Sequence, residues 1–216
     1  MAITLDSSGI TFGDSTANVT ASTNSGKLLS IQSFTGSGTW TKPANCTRVF
    51  VQVQGAGGGG CGYCESGGAG GYAEKVIDVK SISSVAVTVG GGGASTGYHS
   101  AAGVGGTSSF GSYVSATGGS GANNQVSHTG GQGGYGSGGQ LNIQGGNGTG
   151  HGDRGALTSI GTGAKSYFGS GYKPNHSTNA SNLGTYAPGA GGCGGPMAGW
   201  VGSSGAPGIV IVYNYS

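Results

Sequence analysis

Forty-nine of the 54 glycines in this 216-residue chain lie between Gly55 and Gly208. Ordinary domains carry about 7% glycine, so a stretch this enriched cannot fold by burying side chains alone. It runs through Gly57-Gly58-Gly59-Gly60, Gly90 to Gly93, and Gly189-Ala-Gly-Gly-Cys-Gly-Gly195. Three structures could use so much glycine. A flexible linker is one, but Tyr63, Tyr98, Tyr135, Tyr167, Phe168, Tyr172, Tyr186 and Trp200 are out of place in a linker. Collagen is another, and it needs glycine at every third position with abundant proline; five prolines and an irregular spacing exclude it. The third is a lattice of extended polyglycine-II helices, in which missing side chains let backbones approach closely enough to hydrogen-bond sideways. The third is the expectation. Such a lattice is marginal, because each hydrogen bond contributes about 1 kcal/mol net against about 1–2 kcal/mol per residue of backbone ordering.

The remaining chain reads as strands. Val49, Val51 and Val53 alternate within Thr47-Arg-Val-Phe-Val-Gln-Val-Gln54, the period of a half-buried strand. Further strand signals are Ile31-Gln-Ser-Phe34, Gly38-Thr-Trp40, Tyr72 to Val79, Val85-Ala-Val87-Thr-Val89, and Ser109-Phe110 to Val114. The final run, Ile209-Val-Ile-Val-Tyr213, is apolar at every position and predicts a central strand buried on both faces. No window has the apolar spacing of an amphipathic helix, and interior glycine costs about 1 kcal/mol relative to alanine there. The expected fold is all-β: a small antiparallel sandwich-like scaffold with a long glycine-rich insertion at about 90–205 and essentially no α-helix. Residues 1–30 read as an attachment or oligomerisation segment of short strands, and 31–216 as the glycine-rich β domain. Aromatic rings of Trp40, Tyr72, Tyr113 and Tyr213 are expected in the β core.

Charge and chemistry narrow the function. Charged residues make up 6% of the chain, with a net charge of +2. The basic residues are scattered, which argues against nucleic acid as a partner. No segment is apolar enough to span a bilayer, and Met1-Ala-Ile-Thr-Leu-Asp6 lacks the basic and apolar regions of a signal peptide, so synthesis in a cytoplasm is expected. Only Asp153 follows Asp78 among the carboxylates, so the glycine region cannot supply a glycosidase pair. His151-Gly-Asp153-Arg154 reads as a solvated turn, and His99, His128, His151 and His176 share no metal-ligand spacing. No catalytic, cofactor or metal residues are assigned, and a non-enzymatic protein is expected. Cys46, Cys61, Cys64 and Cys193 are compatible with a disulfide formed in an oxidising medium, with a metal at Cys61-Gly-Tyr-Cys64, or with buried thiols.

Phe34-Thr-Gly-Ser-Gly-Thr-Trp40-Thr-Lys-Pro43, then Thr47 to Gly60, together with the ending Gly205-Ala-Pro-Gly208-Ile-Val-Ile-Val-Tyr213, resembles the glycine-rich domain of phage tail-fibre and receptor-binding proteins. The resemblance implies a virion-borne adhesin, commonly trimeric and joined to other tail proteins. Its variable loops would recognise a host surface glycan, lipopolysaccharide or outer-membrane protein, without membrane insertion. Because binding concentrates on loop tips of a rigid scaffold, the expected receptor-binding residues are Tyr98, His99, Tyr135, Tyr167, Phe168, Tyr172, His176 and Tyr186. The alternative is a purely structural fibre or capsid decoration protein.

Overall fold

A computed structural model describes residues 26–62, 64–97, 100–123, 129–150, 161–171, 187–195 and 200–216, and the backbone of three short strands before residue 19. In chain order the strands are β1 (Ile3–Asp6), β2 (Gly9–Phe12), β3 (Ala17–Asn18), β4 (Leu28–Phe34), β5 (Gly38–Thr41), β6 (Arg48–Gln54), β7 (Tyr72–Asp78), β8 (Ser84–Thr88), β9 (Ser108–Phe110), β10 (Val114–Ala116), β11 (Gly136–Ser137), β12 (Leu141–Ile143) and β13 (Ile209–Tyr215). No α-helix occurs among the described residues. β1, β2 and β3 form a three-stranded antiparallel sheet, and two five-stranded antiparallel sheets, β12-β7-β6-β13-β4 and β11-β10-β9-β8-β5, form a sandwich.

The alternation of Val49, Val51 and Val53 puts these residues between the sheets, with Ala73, Ile77, Val85, Val87, Phe110, Val114, Val210 and Val212. Trp40 is fully buried there, its ring edge-on to Phe110 with centroids 5.6 Å apart. Its indole Nε1 donates to Asn214 Oδ1 at 2.9 Å, satisfying the one polar atom that burial would otherwise leave unpaired. β13 is central, between β6 and β4, as its composition predicts. Its two faces nevertheless differ: Val210, Val212 and Asn214 are buried, while Ile209, Ile211, Tyr213 and Tyr215 stay partly exposed. The second sheet covers one face only. The same geometry places Tyr72 and Tyr213 on the outer face of their sheet, in register with Gln54 and Phe50, and not in the core.

Between strands the glycine segments form the second half of the molecule. Along 55–61, successive amides donate to Gly71 O (2.9 Å), Gly106 O (3.1 Å) and Ala206 O (2.9 Å), then again to Gly68, Gly103 and Ser203 (each 2.9 Å). Partners therefore recur every third residue and run antiparallel. The carbonyls of Ala56, Gly57 and Gly58 accept from Gly119, Gly93 and Gly192, and those of Gly59, Gly60 and Cys61 accept from Ala122, Thr96 and Gly195, so these three neighbours run parallel. One threefold helix is thus surrounded by six chain segments, with donors and acceptors radiating in all directions. A left-handed extended helix has three residues per turn and no internal hydrogen bonds, which leaves every backbone group free for this lateral pairing. Segment 66–71 repeats the pattern, with Ser66 and Ala69 donating to Thr149 and Gly146, Gly67 and Gly70 to Gly192 and Gly189, and Gly68 and Gly71 to Ser120 and Thr117.

Glycine serves here for space. A Cβ on Gly58 would overlap the carbonyl oxygen of Ser120, and one on Gly60 that of Cys193. Positive φ is confined to turns: Asn45 (61°), Gly111 (52°) and Gly138 (74°) sit in the short turns at the far end of the sandwich, and Cys64 (75°) and Gly189 (77°) sit where lattice segments turn. The lattice is consequently a set of long hairpin loops. Residues 55–71 join β6 to β7, 89–107 join β8 to β9, and 117–135 join β10 to β11, each an antiparallel pair. The glycine region is therefore not the single excursion expected over about 90–205; it starts at Gly55 and is interrupted by β7 to β12.

Candidate functional site

Where the lattice meets the outer face of β7, the chain reverses sharply. Ser166 N donates to Gly169 O at 2.8 Å, leaving Tyr167 and Phe168 as the two central residues of a tight turn. Both rings fold back onto Tyr72. Tyr167 stacks on it with centroids 3.8 Å apart and planes 12° apart, and Phe168 stands perpendicular to Tyr167 at 5.4 Å. Tyr72 is 1% exposed beneath this cover, whereas Tyr167 is 51% and Phe168 36% exposed. One face of the Tyr167 ring is thus held by Tyr72, and the perpendicular Phe168 makes a corner beside it. Offset and edge-on aromatic pairs of this kind contribute about 0.5–1.5 kcal/mol beyond their burial, which fixes an exposed tip with little entropy left to lose on binding.

Hydrogen bonds set the position of Tyr72 in turn. Its hydroxyl donates to Glu74 Oε2 at 2.6 Å and accepts from Gln52 Nε2 at 2.7 Å, and Tyr213 OH donates to Gln52 Oε1 at 3.2 Å. Burial, the hydrogen bond to Glu74 and the charge on Glu74 all push the Tyr72 phenol above its ordinary range, so it stays a neutral donor. The network spans β7, β6 and β13, three adjacent strands of the rigid sheet.

Flanking the turn is an open cleft of about 480 Å³ between the 146–149 and 162–171 segments, lined by Asn147, Thr149, Thr162, Lys165, Ser170 and intervening glycines and alanine. Gly146 N donates to Lys165 O at 3.1 Å and ties its two walls together. Lys165 is exposed; among the described residues it is the one charged residue in that lining, and no ion pair reaches it.

Of the eight expected receptor-binding residues, the structure brings together Tyr167 and Phe168. Tyr135 is 56% exposed but lies at the seam of lattice and sheet, its amide donating to Thr117 Oγ1 at 2.8 Å, with no ring contact to the pair among the described residues. Tyr98, His99, Tyr172, His176 and Tyr186 lie outside the described residues, as does His151-Gly-Asp153-Arg154. Sequence reasoning missed Tyr72 as the support of the tip, and Lys165, Asn147 and Thr162 as cleft walls. The adjacent pair Tyr167-Phe168 between glycines was the available signal.

All four cysteines are buried thiols. Cys61 Sγ donates to Glu65 Oε2 at 3.0 Å, and Cys193 lies 3.2 Å from the Ser203 hydroxyl, both inside the lattice. Burial raises the Cys64 and Cys193 thiols above their ordinary value, and the charge on Glu65 adds to this at Cys64.

No curated protein matches this chain. The sequence profile of a glycine-rich domain matches residues 32–215, from β4 through β13 and so across the sandwich and the whole lattice. By this match, which covers most of its length, the chain belongs to the glycine-rich domain family.

Proposed function

We propose that this chain is a non-enzymatic virion structural protein, a phage tail fibre or fibre tip, that attaches to a host cell surface through exposed loops. The Tyr167–Phe168 turn carries this reading. A half-exposed ring stacked on a buried, hydrogen-bonded tyrosine is a preorganised contact surface, and tyrosine and phenylalanine bind at low conformational cost. The lattice supplies what such a site needs, a support that does not yield when the tip is loaded. The test is a Tyr167→Ala/Phe168→Ala double variant, measured for adsorption to a panel of Gram-negative bacteria. At least tenfold weaker adsorption is expected, with a melting temperature lowered by only a few degrees for the lost ring contacts on Tyr72; unchanged adsorption across the panel overturns the reading.

A second reading, a purely structural fibre or capsid decoration subunit, has its own observation. Val76, Phe50, Tyr213 and Ile31 align across four strands on the outer face of the β4-containing sheet, and Val76 and Ile31 are 43% and 53% exposed. An exposed apolar row suits packing against another subunit, and a homotrimer is the assembly we propose for the virion protein. Sedimentation of the purified chain distinguishes trimer from monomer, and a trimer dissociated by Ile31→Asp would assign this face to assembly.

A further inference from the structure

The attachment reading says that the aromatic turn touches a host surface, without saying what chemistry it meets. Three features beside the turn specify it. The first is the Tyr167–Phe168 corner, which offers a flat apolar face suited to the C–H side of a sugar ring. The second is the adjoining cleft, whose volume of about 480 Å³ lies within the usual range of ligand sites, about 300–1,000 Å³. Its hydroxyls and amide, from Thr149, Thr162, Ser170 and Asn147, match the short alternating donors and acceptors of a saccharide.

The third feature is charge. Among the described residues, Lys165 is the only charged one lining the cleft. The described carboxylates are engaged elsewhere: Glu65 accepts from Cys61, Glu74 from Tyr72, and Asp78 pairs with Lys80. Beyond Lys80 the sequence holds one carboxylate, Asp153, against Arg154, Lys165 and Lys173. Beyond Lys80 the sequence therefore carries more positive than negative charge. A single cation per cleft does not meet the phosphate spacing of a nucleic acid, which takes a tract of basic side chains. It does meet one acidic group on a sugar.

We infer that the Tyr167–Phe168 corner and the Lys165 cleft together bind an anionic saccharide, the ring stacking on Tyr167 and its carboxylate or phosphate meeting the Lys165 ammonium. This rests on the attachment reading and names its ligand class. The acidic group could be a uronic carboxylate or a lipopolysaccharide phosphate, and one experiment separates these sources.

The purified full-length chain is run in affinity electrophoresis through polygalacturonate, through rough lipopolysaccharide before and after dephosphorylation, and through dextran as the neutral polymer. Adsorption to bacteria is measured in parallel. Retardation is expected in polygalacturonate or in phosphorylated lipopolysaccharide, not in dextran, and it should weaken with added salt. Lys165→Gln should weaken it at least fivefold and Lys165→Arg should restore most of it. Lys165 is exposed, so both variants should unfold at the wild-type temperature. Retardation in polygalacturonate identifies a carboxylate, and retardation lost on dephosphorylation identifies a phosphate. The inference is overturned if no anionic polymer retards the chain, if dextran retards it equally, or if Lys165→Gln binds as wild type does. When cells still adsorb the chain in those cases, only the ligand class has failed. When cells do not adsorb it either, the attachment reading falls too.

Discussion

Gln54 ends β6 fully buried, and its Nε2 donates to the carbonyls of Gly70 at 2.9 Å and Gly71 at 3.0 Å, pinning the last sheet residue to the first turn of the lattice. Among the described residues its Oε1 finds no hydrogen-bond partner. Gln54→Leu removes these donations; Gly71 O keeps the Gly55 amide, but Gly70 O loses its Gln54 donor in a dry seam, so we expect a loss of about 1–3 kcal/mol, read from denaturant unfolding. Tyr72 makes a second residue-scale prediction. Its phenol is raised above the ordinary value of 10.0, and the Cys64 and Cys193 thiols above 9.0, so the folded state holds these protons more tightly than the unfolded chain. Their contribution is fully present below those ordinary values and is lost as pH climbs past them. Melting temperature should therefore drop between about pH 9 and about pH 11, and Tyr72→Phe should shallow the drop while lowering stability at neutral pH through the loss of its bonds to Glu74 and Gln52. Equal slopes in the two proteins would contradict this. None of these roles is written in the residue type alone: Tyr72 alternates with Ala73 and reads as a core ring, and only the fold of the distant Tyr167 turn shows what covers it.

At the scale of elements, strands with clean period-two patterns were legible. β6 and β8 show Val49-x-Val51-x-Val53 and Val85-x-Val87, and both form where that pattern lies. β11 and β12 were not, since Gly136–Ser137 is two residues long and Leu141–Ile143 is three, each set among glycines that mask any alternation. The glycine runs were legible as extended lattice helices because their tyrosines are out of place in a linker and their irregular spacing and few prolines exclude collagen. Their placement was not, because a lattice neighbour is set by three-dimensional packing and leaves no local signature. Gly55 and Gly91 look alike in sequence, yet a Cβ on the first would overlap the Thr117 carbonyl while one on the second would meet nothing within 4 Å. The candidate site shows the same limit. Adjacent Tyr167 and Phe168 stood out, whereas Lys165, Thr162 and Asn147 become a cleft only when 146–149 and 162–165 lie side by side.

The whole molecule divides its stability between two kinds of order. The sandwich buries apolar side chains between two sheets, in the usual way. Beyond β6 the lattice buries backbone, and apart from Glu65 at a turn its packed positions hold mostly small residues such as Ala56, Ala69, Ser66, Ala190 and Cys193. Lateral hydrogen bonds between antiparallel and parallel threefold helices replace the side-chain core there, and they make a stiff base for the Tyr167 turn. The claim that glycine is required for close approach, not for its conformational freedom, is tested most directly by comparing the melting temperatures of Gly58→Ala and Gly91→Ala. Neither residue has positive φ, so both substitutions remove similar freedom from the unfolded chain, a gain of about 0.4–1 kcal/mol where the new side chain fits. Gly58→Ala must displace the Ser120 carbonyl, at about 1–3 kcal/mol for an overpacked site. With about 2–4 °C per kcal/mol for a domain of this size, Gly58→Ala should melt several degrees below wild type and Gly91→Ala at or slightly above it. Equal melting temperatures for the two variants would contradict the lattice.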